Sequence, residues 1–251
     1  MVLHVVSRRG PFRGTTVVVP PWKTDAPALV ERFTDLLAGA GQDVWLVVPP
    51  EHMERASPGA PSGHRFATLD LPRFRAIFEQ LVVEIRTALA MAAARGPAGL
   101  LGLSLGALAG SLAIGGREAP AFAALVAPPA DLAGVLATTA IGRRYRRLAT
   151  AAGSAWPGFG ELRAALAPFD PARRPPPPSA TLLAIGRYDR IALPEAGLAL
   201  ARAWGVPPRL YPRGHLTLLF RCRALLQDLR RFVRDPACAG QAAAKPVGLG
   251  L

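Results

Sequence analysis

The residues best placed to do chemistry are Gly102-Leu103-Ser104-Leu105-Gly106. An apolar run, Ala98 to Leu101, precedes them, and a second, Ala107 to Ile114, follows. Buried strand, sharp turn and helix in that order push a serine hydroxyl clear of the sheet. Glycine is needed two residues to either side, because a Cβ there would collide with the neighbouring strand or helix. The chemistry open to such a serine is acyl transfer through a covalent serine ester. Glycine supplies 25 of the 251 residues, so the pattern needs the support of a base and an acid.

Four histidines limit the search for the base. His4 falls inside the first strand pattern, and His52 and His64 read as solvated residues of a loop rich in Pro, Gly and Ser. His215 follows a short strand and the turn Pro212-Arg213-Gly214, and it precedes a helix. That is the carboxyl end of a strand, where open α/β sheets keep their working residues. A neutral imidazole there could take the serine proton and return it to a leaving group. Asp189 sits at another strand end, beyond Gly186-Arg187-Tyr188, and could orient the imidazole. Asp131 is the rival acid, but after Pro128-Pro129-Ala130 it reads better as a helix N-cap.

The elements that must hold these residues alternate. Strand patterns run over Val2 to Val6, Thr15 to Val19, Val44 to Val48, the elbow strand, Ala121 to Val126, Thr181 to Ile185 and Pro208 to Tyr211. Helical patterns run over Pro27 to Ala40, Pro72 to Ala94, the elbow helix, Pro194 to Trp204 and Leu216 to Val233. This alternation predicts an α/β fold with a mostly parallel, doubly wound sheet. Between Pro128 and Ala180 it breaks, for about fifty residues, well beyond the dozen or so that a crossover needs. Residues 128–180 therefore read as a helical cap insertion in a domain spanning 1–234. Residues 235–251 read as a flexible tail.

In the order Ser104, Asp189, His215 the chain resembles the α/β-hydrolase superfamily over residues 1 to about 234, near its esterase, lipase and dienelactone-hydrolase-like branches. The resemblance rests on the elbow, on Gly186-Arg187-Tyr188-Asp189-Arg190-Ile191 and on Gly214-His215-Leu216; no subfamily is identified. It implies an oxyanion hole with one donor in the backbone N–H of Leu105. The second donor is expected after the Thr15–Val19 strand. There the chain departs from the usual His-Gly entry, with Pro20-Pro21-Trp22-Lys23. Prolines have no N–H, which leaves that of Trp22, or else that of Lys23. The implied activity is hydrolysis of a small-molecule carboxylic ester or thioester, with no metal or organic cofactor. The same acyl-enzyme could instead serve an acyltransferase, and the fold could serve a non-catalytic binding protein.

Composition narrows the partners. The net charge is +13, yet Lys23 and Lys245 are the only lysines, in a chain rich in Ala, Pro and Gly. That combination reads as arginine-favouring composition, and no basic–aromatic stripe marks a nucleic-acid module. Arg143-Arg144-Tyr145-Arg146-Arg147 could meet a membrane surface or an anionic substrate; a solvated helix face is the favoured reading. Cys222, in a helical pattern, and Cys238, in the tail, form no disulfide or zinc framework. Met1 to Pro11, with arginines after a short apolar run, does not read as a signal peptide, and Pro97 to Gly116, though uncharged, reads as strand and elbow helix. The expected location is cytoplasmic; oligomeric state is not encoded in any visible pattern.

Overall fold

The computed structural model describes residues 1–68, 70–114 and 119–237. Its strands are β1 (Val2–Val6), β2 (Gly14–Val19), β3 (Gln42–Val48), β4 (Ala98–Leu103), β5 (Phe122–Val126), β6 (Ala180–Gly186) and β7 (Pro208–Tyr211). The α-helices between them are α1 (Glu31–Ala38), α2 (Leu71–Ala93), α3 (Leu105–Ala113), α4 (Leu132–Thr138), α5 (Ala140–Ala151), α6 (Phe159–Leu166) and α7 (Pro194–Trp204). After β7 come α8 (His215–Arg221) and α9 (Arg223–Arg234). The strands form one sheet in the order β1-β3-β2-β4-β5-β6-β7. Only β1 runs antiparallel, on the edge beside β3.

The strand period of two divides the core. Val17, Val19, Leu100, Leu125 and Ile185 join one cluster, with Leu81 and Ile85 of α2 and Leu108 of α3. Val18, Leu101, Leu103, Val126 and Leu182 join the other, with Phe33 of α1 and Leu229 and Phe232 of α9. Successive side chains of a strand face opposite sides, so helices cover both faces. The inner strands are mostly apolar for that reason, with polar residues confined to their first positions, and all six residues of β2 and of β4 are buried.

Two helical readings are corrected. The Pro27–Ala40 pattern divides into a 3-10 turn, Pro27–Val30, and the α-helix Glu31–Ala38. Val30, at φ −112° and ψ 4°, ends the 3-10 turn outside α-helical geometry and serves as the N-cap of α1. The Leu216–Val233 pattern is two helices, broken at Cys222, whose backbone is extended (φ −98°, ψ 98°). The Arg32 guanidinium donates to the carbonyl of Phe220 at this break, satisfying an acceptor that a continuous helix would have used. Cys222 is buried as a free thiol; Cys238 and the tail 238–251 lie outside the described residues.

The uncharged Pro97–Gly116 stretch is strand β4 and helix α3 as far as Ile114. Among the described residues no helix is long and apolar enough to cross a membrane. Between β5 and β6 lie α4, α5 and α6, on the side of the sheet that carries Ser104.

Candidate active site

Ser104 stands between β4 and α3 with φ 53° and ψ −110°, a region that non-glycine residues rarely adopt. Its N–H donates to Val126 O across the sheet at 2.8 Å, which holds the turn. The flanking glycines are required by contact. A Cβ on Gly102 would lie 2.6 Å from Ala107 Cα, and one on Gly106 would strike the backbone of Val19. Close approach of α3 to β2 and β4 therefore sets the elbow, as the sequence spacing anticipates.

The acid and histidine loops are stitched to each other. Arg187 N–H donates to Tyr211 O at 2.7 Å and Tyr188 N–H to Arg213 O at 3.0 Å. Asp189 is 3 % exposed; its Oδ1 accepts the N–H groups of Ile191 and Ala192 at 2.8 and 2.9 Å. Its Oδ2 lies 2.7 Å from His215 Nδ1. His215 opens α8, and its Nε2 lies 2.8 Å from Ser104 Oγ. A carboxylate oxygen can only accept, so the imidazole proton belongs on Nδ1 and Nε2 is free to receive the serine hydroxyl proton. Three residues separated by up to 111 positions thus form one hydrogen-bonded line. Asp131 stands apart from it, capping α4 by accepting the N–H of Gly134 at 2.9 Å.

Leu105 is the first residue of α3, so its N–H has no intrahelical acceptor. The N–H of Trp22 donates to nothing among the described residues, and Trp22, Ser104 and Leu105 line the same cavity. The N–H of Lys23 is taken, because it donates to His52 Nε2 at 3.1 Å.

His52 corrects the solvated-loop reading. It is fully buried, and its Nδ1 lies 2.8 Å from the carbonyl of Pro50, which can only accept. Nδ1 therefore carries the proton and Nε2 receives the Lys23 N–H. A Cβ on Gly63 would lie 2.6 Å from His52 Nε2, and Gly63 also has φ +68°. Gly63 O accepts Trp22 Nε1–H at 2.7 Å, and Ser62 Oγ–H donates to Thr24 O. The loop 51–63 thus fixes the loop that carries Trp22, and no spacing in the sequence reports this long-range pairing. His64 and His4 are less buried, His4 lying 2.8 Å from Glu54.

Burial holds His52 below its ordinary value of 6.5, because the charged form would be desolvated. A depressed folded value means a contribution to stability that is complete above 6.5 and lost as pH falls through the folded value. The wild-type Tm is therefore expected to drop as pH is lowered from 7 through this range. Thermal unfolding of His52→Gln should show a flatter profile; equal slopes would remove His52 as the cause.

Above Ser104 is an apolar cavity of about 250 Å³. Phe66, Phe74 and Phe78 form one wall, and Leu132, Trp156 and Leu162 come from the segment between β5 and β6. Phe74 and Phe78 pack against Phe169 at 5.7 and 4.8 Å between ring centroids, which gives a stiff aromatic wall. Tyr145 Oη–H donates to Ala67 O at 2.7 Å and ties α5 down over the cavity. Among the described residues no group of three His, Cys, Asp or Glu could hold a metal.

Sheet order, elbow and strand-end loops together define an α/β-hydrolase fold. No family model and no curated protein matches the sequence, but solved structures do resemble this one. An acetyl xylan esterase from a Paenibacillus species has a TM-score of 0.64 at 17% identity, covering 92% of this chain and 78% of its own. A monoacylglycerol lipase from Paleococcus ferrophilus has 0.58 at 17%, covering 95% and 100%. The enol-lactonase from Burkholderia xenovorans has 0.57 at 16%, covering 92% and 96%. At these identities the likeness is one of fold.

Proposed function

We propose that the protein is a serine hydrolase that cleaves a small-molecule carboxylic ester or thioester with an apolar acyl group. The observation that carries this reading is the continuous line Ser104 Oγ, His215 Nε2, His215 Nδ1, Asp189 Oδ2 beneath the apolar cavity. The neighbours, an esterase, a lipase and a lactonase among them, support the reaction class.

In this mechanism Ser104 Oγ attacks the carbonyl carbon as its proton passes to His215 Nε2. The oxyanion is held by the N–H groups of Leu105 and Trp22. The intermediate collapses, the bond to the leaving group breaks, and His215 gives that group its proton. Water then attacks the acyl-enzyme, giving one proton to His215. The acid leaves and Ser104 regains its proton. Residues 128–180 act as the cap, because α4–α6 roof the cavity and keep bulk water from the acyl chain. The acyl-transfer alternative uses the same intermediate.

A fluorophosphonate probe should form one adduct per chain, and peptide mass spectrometry should place it on Ser104. Labelling elsewhere, or none, refutes the reading.

A further inference from the structure

A second cleft, of about 350 Å³, opens beside the apolar cavity. The two share a wall of Trp22, Ala67, Thr68 and Tyr145. Their chemistry is opposite. The cavity holds aliphatic and aromatic side chains, whereas the cleft is lined by Lys23, Arg65, Arg73 and Arg144 and, among the described residues, by no carboxylate.

These cations come from three places that are distant in sequence, so their meeting is a product of the fold. Lys23 follows β2, Arg65 and Arg73 flank the start of α2, and Arg144 is on α5. Arg73 is 3.5 Å from Glu51. No carboxylate of the described residues comes within ion-pair distance of Lys23, Arg65 or Arg144, and the Lys23 ammonium rests 4.7 Å from the Trp22 ring centroid. Helical spacing also splits the basic run of α5. Arg143 donates to Thr138 O and Arg146 lies over Trp156, while Arg144 faces the cleft. Glu51 pairs with Arg73 and also feels Arg65, so one carboxylate outside the cleft faces four cations. Like charges around one concavity repel, and an anion placed among them relieves that repulsion.

We infer that this cleft is a subsite for an anionic group, phosphate or carboxylate, borne by the leaving-group side of the substrate. Lys23 follows directly on Trp22, the residue assigned to the oxyanion, so the cationic cleft begins beside the scissile carbonyl. The uncharged acyl chain gains by entering the apolar cavity, and a charged group gains by staying in the hydrated cleft. The inference rests on the reading of Ser104 as the nucleophile, but binding can be tested without turnover.

Calorimetry would compare octyl phosphate, nonanoate and octanol, at low and high salt. At least one anion should bind tenfold or more tightly than octanol at low salt, and the gap should shrink as salt rises. Whichever anion binds more tightly identifies the group as phosphate or carboxylate. Arg144→Gln should reduce the gap several-fold, while Arg147→Gln, with the same charge change on the same helix, should preserve it. In turnover, 3-carboxy-4-nitrophenyl octanoate should exceed 4-nitrophenyl octanoate in kcat/KM by a similar factor, with the same response to Arg144→Gln. Equal binding of anions and octanol, or equal responses of the two arginine variants, overturns the subsite. An intact binding preference without turnover of any ester instead retires the hydrolase reading and leaves the anion subsite standing.

Discussion

Ser104→Ala is expected to lower kcat for 4-nitrophenyl octanoate by roughly 10⁴- to 10⁶-fold and to abolish fluorophosphonate labelling. Alanine keeps the Cβ and accepts the same backbone at a similar cost, so the loss should come without unfolding. Only Oγ disappears, and with it the hydrogen bond to His215. Ser104→Gly provides a control on the backbone. At φ 53° a glycine relieves a strain that costs about 1–3 kcal/mol. The glycine variant should therefore unfold at a higher temperature than the alanine variant while being equally inactive. Retention of a tenth of wild-type activity by both would mean that another group supplies the nucleophile.

The strained serine explains why the elbow is legible in sequence. Only glycine fits where α3 crosses β2 and β4, and the contacts at Gly102 and Gly106 are backbone contacts that no repacking can relieve. Apolar inner strands were equally readable, since β2 and β4 are buried on both faces. Asp189 and His215 could be found because strand ends can be counted along the chain. His52 could not. Its burial depends on Pro50, Gly63 and the Lys23 N–H meeting across the end of β3, and a Pro-, Gly- and Ser-rich loop carries no period that predicts such a meeting. The break at Cys222 was hidden for a related reason. The apolar spacing continues through it, whereas the Arg32 contact to Phe220 O comes from α1, 188 residues away. The cationic cleft was also out of reach, because Arg144 is one of several arginines on α5 and long-range contacts such as that of Tyr145 with Ala67 orient that helix.

The oxyanion donors follow from the same loop pairing. Pro20 and Pro21 offer no N–H, and His52 occupies that of Lys23, so the proposed mechanism assigns the donor after β2 to Trp22. Loss of one such donor typically costs about 10²- to 10³-fold in rate, which makes the positioning of this loop worth a buried histidine.

Asp189→Asn should reduce kcat by about 10⁴-fold while leaving the fold intact. The asparagine Oδ1 can still accept from Ile191 and Ala192, so the loop keeps its shape. The amide Nδ2, however, is a donor and would now face His215 Nδ1. That nitrogen would have to accept, which sends the imidazole proton to Nε2, where it meets the Ser104 hydroxyl. An Nε2–H cannot take the serine proton, so the base is lost although every heavy atom remains in place. Imidazole ¹⁵N shifts should report the tautomer change directly, and the KM should move much less than kcat. Asp189→Ala should differ, because it orphans two backbone donors and lowers the Tm as well as the rate. Asp131→Asn should leave the rate unchanged, since asparagine serves equally well as the N-cap of α4. If the rate instead followed Asp131 and ignored Asp189, the orienting carboxylate would have to be reassigned. The hydrogen bonds of His215 make the opposite demand, because only Asp189 reaches Nδ1 among the described residues.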